Sequence, residues 1–314
     1  MASQRGIALM MVLWILVFLT VIVLSFSTTV RTDSYSALSF KKEVENKFLA
    51  EAGVQRGLME ILYRNVNKNQ KIIMEGREVL PIDGRAYQGP LGDGFYTFSI
   101  TDESGKININ TLSDNTRVIL YNLLVNRGIP GQAADTLVDS ILDWKDPDEL
   151  YRTNGAESDY YLSLPDPYRA KNAGFDTLEE LLLVKGMTQQ ILFGDDGRSG
   201  IAPMLTVHSA TDKINVKAAP REVLIAIPGM TADLADSIIA IRESGAEEVV
   251  DQLQVIFGKS YGAMAQYVGA RTSNIYTIDA IGYRDDKRKG YAIRATFIME
   301  SNSKYRTIYY KSPA

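Results

Sequence analysis

Between Ile7 and Phe26 the chain reads IALMMVLWILVFLTVIVLSF, and no charged residue follows until Arg31. An apolar run of ~20 residues crosses a ~30 Å hydrocarbon layer as a helix. The flanks narrow what such a run can be, and the competing readings are a secretory signal peptide and a plain signal anchor. A secretory signal peptide has an apolar core of only ~7–15 residues and a small-x-small cleavage site. This run is longer, and the SFSTTVRT around its end is a poor cleavage site. No Pro or Gly stops the helix, and helix-compatible residues continue to Gly53. Phe40, Val44, Phe48 and Ala52 recur every four residues, and Leu58 and Leu62 extend the same apolar face. The expectation is one rod of some 55–60 residues, about 80–90 Å long. Its first half sits in lipid and its second half packs on a soluble domain. Gly53 and Gly57 either weaken the rod or let another element come close.

Composition excludes several kinds of chemistry. The 314 residues include no Cys, so disulfides, thiolate metal sites and a Cys nucleophile are ruled out. One His, His208, makes a His-based zinc site or a Ser-His-Asp triad hard to build. Its neighbours Val207 and Ser209 suggest a strand, and it is read as a structural or surface residue. The formal net charge of −4, without a basic block, argues against nucleic acid as the main partner. Beyond the apolar run there is room for roughly two domains of ~100–200 residues.

The soluble part begins with a polar, Gly-rich stretch from Asn65 to Asp93, read as a loop with one short strand. Gly94 to Asp102 alternates, with Tyr96, Phe98 and Ile100 on one face, which is the pattern of a half-buried strand. A turn at Glu103–Lys106 then leads to Ile107–Asn110, an expected hairpin partner. From Thr116 the period becomes helical, with Val118 to Val125 in one helix and Ala133 to Trp144 in another. Asp176 reads as an N-cap, with Glu179 completing a capping box for a helix through Val184. Leu205 to Val216 is strand-like around a turn, and Pro220 opens a helix at its first position. Gly105-Lys106-Ile107-Asn108-Ile109-Asn110 is echoed by Asp212-Lys213-Ile214-Asn215-Val216-Lys217, each before a helix. The chain closes with strands at Tyr276–Tyr283, Tyr291–Glu300 and Tyr305–Lys311. In the middle one Tyr291, Ile293, Ala295, Phe297 and Met299 share a face. The fold class is therefore α+β: an antiparallel sheet split between the middle and the end of the chain, with a helical block inserted between the halves.

Two constellations carry candidate chemistry. Asp143, Asp146, Asp148, Glu157 and Asp159 crowd a short stretch interrupted by Pro147 and Gly155. Carboxylates on a loop are what Ca²⁺ takes within about six to eight oxygen contacts, although the spacing is not that of an EF-hand. The competing readings are solvated carboxylates with Asp146 or Asp148 as a helix cap, and a metal-dependent hydrolase at Asp143, Asp146 and Asp148. The second constellation is Ile227-Pro228-Gly229-Met230 between two helices, a helix-hairpin-helix over 224–242. Val184-Lys185-Gly186-Met187 looks like a degenerate copy. Such hairpins offer backbone N–H groups to phosphates, and the alternative function is a membrane-anchored DNA-binding protein. Here the hairpin is surrounded by Asp233, Asp236, Glu243, Glu247 and Glu248. That points to a packing or protein-contact unit instead.

The leader MASQRG, ending in Gly6 directly before the apolar run, resembles the type IV prepilin signal. The resemblance implies cleavage by a prepilin peptidase between Gly6 and Ile7 and methylation of the new amino terminus. Most members carry Glu at mature position five, where this chain has Met11. Further motifs follow in order: Asp143-Trp144-x-Asp146-x-Asp148, Gly155-Ala156-Glu157-x-x-x-Tyr161, Pro167-Tyr168-Arg169-Ala170-x-Asn172, Phe175-Asp176-x-Leu178-Glu179-Glu180-Leu181 and Asn215-Val216-x-x-Ala219-Pro220-Arg221-Glu222-Val223-Leu224. Together they resemble the type II secretion minor pseudopilin K family, with Lys217 where that family usually has Asn. The resemblance implies a prepilin leader (1–6), a transmembrane helix (7–30), a first pilin-like part (31–110), an inserted, mainly helical domain (111–275) and C-terminal pilin strands (276–314). It implies a non-enzymatic, single-pass protein of the bacterial inner membrane with a periplasmic C-terminal domain. The expected partners are minor pseudopilins I and J at the pseudopilus tip, the prepilin peptidase and the inner-membrane secretion platform. Calcium is implied as well, with its ligands unassigned.

Overall fold

In a computed structural model of the chain, the described residues are 3–67, 80, 82–195, 197–209, 211–243, 255, 257–258, 261–301 and 304–314. Most of the expected loop before residue 80, and the acidic residues Glu247 and Glu248, lie outside them. The first element, α1 (Ser3–Val66), is an unbroken helix of 64 residues, about 95 Å long. It contains Gly6 and Ile7. By length and composition it can cross a membrane, and its large apolar side chains from Leu9 to Phe26 are exposed. Threonine hydroxyls in this part of the helix bond back to it: Thr20 Oγ1 donates to the Leu16 carbonyl and Thr32 Oγ1 to that of Thr28.

The later turns of α1 lie on a five-stranded antiparallel sheet of β1 (Ala86–Leu91), β2 (Gly94–Asp102), β3 (Ile275–Tyr283), β4 (Tyr291–Met299) and β5 (Tyr305–Lys311). The strands stand side by side in chain order. Ala50, Val54, Leu58 and Ile61 of α1 form one core with Phe98, Ile100, Ile278, Ala280, Ile293, Ala295, Phe297 and Met299. The apolar face of β4 is thus the one its alternation predicts. The buried face of α1 is the expected one only in its last turns, where Leu58 and Leu62 pack on the sheet. Phe40 and Phe48 point to solvent, and the seam instead runs through Gly53 and Gly57. A Cβ at Gly53 would lie 3.1 Å from Ala280 Cβ, and one at Gly57 would lie 3.0 Å from Ile278 Cδ1. The glycines mark the face that touches the sheet because only a helix without side chains there can approach so closely. Gly282 meets it from the other side: a Cβ would fall on the Asn46 carbonyl and the Ala50 amide of α1 itself.

Between β2 and β3 the chain leaves the sheet and returns to the neighbouring strand, in register, with Phe98 opposite Ala280. Asp102 staples the two crossings. Its carboxylate accepts from the Ser104 amide (2.9 Å), the Ser104 hydroxyl (2.7 Å) and the Ser273 hydroxyl (3.0 Å). The excursion has its own apolar core, from Ile107 to Val268. It contains α2 (Arg117–Asn126), α3 (Gly131–Lys145), α4 (Ser158–Leu162), α5 (Gln189–Leu192), α6 (Arg221–Ala226) and α7 (Ala232–Glu243). Buried Trp144 packs on Tyr161, Tyr168 and Phe175.

Local expectations fail in four places. The partner of β2 on its N-terminal side is β1, not Ile107–Asn110. A 3₁₀ turn at Glu103–Gly105 diverts the chain, and Ile107–Asn108 pairs in parallel with Leu205–Thr206. Ile214–Asn215 likewise pairs with Val268–Gly269 instead of folding back on 205–206. The capping box sits one residue later than read: Thr177 is the N-cap and Glu180 closes the box of a 3₁₀ helix, Leu178–Leu183. The shift frees Glu179 to accept from Lys311 (3.2 Å) and Tyr309 (3.4 Å) of β5. His208 follows the short strand Leu205–Thr206 and lies outside it. The echoed segments do adopt one local structure. The Asn108 side chain accepts from the amide two residues on, and so does Asn215, both at 3.0 Å.

The seam between α1 and the sheet predicts an asymmetry among glycines. Gly282→Ala must push α1 away and should cost at least about 2 kcal/mol. Gly57→Ala meets side-chain carbons of Ile278 and Phe98 at 3.0–3.2 Å, which need give by only a few tenths of an ångström, and it gains helix propensity, so it should cost clearly less than Gly282→Ala. Urea unfolding of the detergent-solubilised chain distinguishes them; equal costs would contradict the seam.

Candidate metal centre

The acidic residues are placed by the end of α3 and the loop into α4. Asp146 caps α3, its amide donating to the Leu142 carbonyl. Pro147 then turns the chain, and the Asp148 carboxylate accepts from the Leu150 amide at 2.8 Å. Glu157 stands at the N-cap of α4 yet makes no capping bond. That role falls to Glu149, which accepts from the Ser158 amide (3.1 Å) and hydroxyl (2.9 Å) and from Asn172 (3.0 Å). Glu157 is thereby free to turn inward. One carboxylate oxygen each from Asp146, Asp148 and Glu157 lies within 4.8 Å of the others.

The other two candidates stand apart from this group. Asp159 is exposed and accepts from the adjacent Tyr160 amide. Asp143 is buried and bound to Arg152, whose Nη1 lies 2.8 Å from Asp143 Oδ1 and 2.6 Å from Asp146 Oδ2. Arg152 was not singled out from the sequence, and neither was Glu149. Both are charged residues in a charged loop, and only the folded loop shows what they hold. Lys185 closes the outer side, donating to the Gly155 carbonyl at 2.9 Å.

Glu157 has an unusual environment for a carboxylate. It is 1% exposed, and neither of its side-chain oxygens has a hydrogen-bond partner; Asp146 Oδ1 is buried and unpartnered as well. Burial, and then the charges of Asp143, Asp146, Glu149 and Asp148, push the Glu157 carboxyl up to about 7. Unsatisfied buried acceptors carry a penalty. A hard divalent cation with oxygen ligands is the chemistry that would satisfy three clustered carboxylates, so the residues present fit calcium.

The two hairpins also form, turning at Gly186 (φ +85°) and Gly229 (φ +83°). Their neighbouring cations are engaged within the chain: Lys185 as above, Arg221 with Asp236 (2.6 Å), and Arg242 with the Ala219 carbonyl (2.7 Å). The DNA-binding alternative gains no support from this geometry. His208 is partly buried, which pushes its pKa down, and its ring faces Tyr309 at 6.4 Å.

The sign of the Glu157 shift gives a pH prediction. Its folded value lies above the unfolded one, so protonation favours the fold. Without a cation, stability falls as pH rises from about 4.5 to about 7. In chelator, urea unfolding should show a loss on the order of 2 kcal/mol across that window, and Glu157→Gln should flatten it. A wild-type stability rising through the window would contradict the assignment.

Residues 105–193 match the family model described as type II secretion system (T2SS), protein K. Among curated relatives, the type II secretion system protein K of Pectobacterium carotovorum subsp. carotovorum is 27% identical over 199 residues, 60% of each chain. The putative type II secretion system protein K of Escherichia coli K12 is 25% identical over 197 residues, again 60% of each chain. That of Klebsiella pneumoniae is 28% identical over 203 residues, 59% of this chain and 58% of the relative. The matches thus span about three-fifths of these relatives. A chain of the GspK–GspI–GspJ complex of enterotoxigenic Escherichia coli superposes with a TM-score of 0.54 at 14% identity, covering 91% of this chain and 99% of that one. That likeness establishes the fold: a long N-terminal helix, an antiparallel sheet and a helical insertion. The resemblance read from the motifs is borne out: residues 105–193, which include all five acidic candidates, match the type II secretion system protein K model.

Proposed function

We propose that the chain is a minor pseudopilin of a type II secretion pseudopilus, working as a structural subunit at its tip. The observation that carries this is α1. One helix exposes an apolar, membrane-length first part and buries its last turns on an antiparallel sheet, as a subunit moving from lipid into a filament requires. Its likeness to a chain of the GspK–GspI–GspJ complex supports pseudopilins I and J as partners. The prepilin peptidase and the inner-membrane secretion platform complete the set, and the soluble part faces the periplasm.

The insertion favours the tip. It is large, has its own core, and reaches the sheet surface at β5 through Glu179. Repeated along a filament, such bulk would collide with neighbouring subunits. Met11 also brings no carboxylate to pair with a neighbour's amino terminus. Asp146, Asp148 and Glu157 would hold Ca²⁺, and the ion would supply charge neutralisation and loop order.

Co-expression of the tagged chain with pseudopilins I and J, and separately with a major pseudopilin, tests the reading. A stable complex with I and J, and absence from the filament body, is the expected result. Purification without I and J, or distribution along the filament, would overturn it.

A further inference from the structure

Asp143 is fully buried and is not among the three clustered carboxylates. It accepts from the Arg152 guanidinium at 2.8 Å and lies 3.3–3.4 Å from the Arg152 amide. Its carboxylate also rests directly on Gly155: a Cβ built there would lie 1.8 Å from Asp143 Oδ2. Asp143 therefore holds both ends of the segment 152–155, which leads into Glu157. Arg152 extends this grip, donating to Asp146 Oδ2 at 2.6 Å and reaching Asp114 with Nε at 3.3 Å. While Oδ2 accepts from Arg152, Asp146 leaves its buried Oδ1 unpartnered.

The geometry points to Asp143 and Arg152 as positioning residues of the cation site: they hold Glu157 and Asp146 in place, and neither touches the ion. This rests on the cation reading above, which has its own second observation in the buried, unpartnered carboxylate of Glu157. The pair acts as a ligand-orienting outer layer does in metal sites, where loss of such a group costs about 10–100-fold in affinity.

Terbium, a luminescent stand-in for calcium, separates a ligand from a positioning residue. Its lifetimes in H₂O and D₂O count the waters on the bound ion. In the full-length chain, Asp148→Ala should weaken binding and add about one water, since the side-chain ligand is lost. Asp143→Ala should weaken terbium and calcium binding about tenfold with the water count unchanged. Arg152→Lys keeps the charge but cannot span both carboxylates. It should also weaken binding without adding water, and it serves if Asp143→Ala does not fold. An added water in Asp143→Ala would make Asp143 a ligand and overturn the proposal, as would wild-type affinity in Arg152→Lys. Failure of the wild-type chain to bind either ion at millimolar concentration would instead remove the cation reading, and this proposal with it.

Discussion

The close contact between α1 and the sheet is what the rest of the molecule depends on. A helix that begins with about 20 apolar residues has no independent place in water. Its later turns must be held by something rigid, and they are held without side chains at the seam. Gly53 and Gly57 face the sheet, while Gly282 faces the backbone of α1. Around that seam Ala50, Val54, Leu58 and Ile61 fill the grooves. Burying a side chain of that size stabilises by about 1.5–3 kcal/mol, but only when the two backbones come close enough for the side chains to interlock.

Much of this was legible in the residues. The apolar run was read from its length and composition, β2 and β4 from their alternation, because one face of each packs in the core, and the closing meander from the turns between its strands. The rotation of α1 was not. Phe40 and Phe48 look like core residues, yet the surface they belong to is open, and the two glycines, which carry no hydropathy signal, mark the packed side. Short pairings were equally hidden. Ile107–Asn108 and Ile214–Asn215 find parallel partners far along the chain, and two-residue bridges leave no periodic trace. The sequence echo between them was visible, and its cause is a shared turn closed by Asn108 and Asn215.

The acidic loop was visible as a crowd of carboxylates, but its division of labour was not. Asp143, Asp146, Asp148, Glu157 and Asp159 are indistinguishable by type. Folding separates them. Asp159 faces solvent, Asp143 goes to Arg152 and Gly155, and Glu149 takes the capping role that would otherwise occupy Glu157. What is left is a group of three, one of them buried without a partner. The Asp102 staple follows the same logic on a larger scale. A buried carboxylate, accepting from Ser104 and Ser273, fixes where the inserted block departs from the sheet and where it rejoins it.

The account as a whole rests on α1 being a pseudopilin helix and not a plain membrane anchor. The most direct measurement is the mass of the mature amino terminus after co-expression with a prepilin peptidase. The account predicts a chain that begins at Ile7 and carries one methyl group on its amino nitrogen. An intact Met1 would contradict it and leave a plain single-span anchor with a soluble domain.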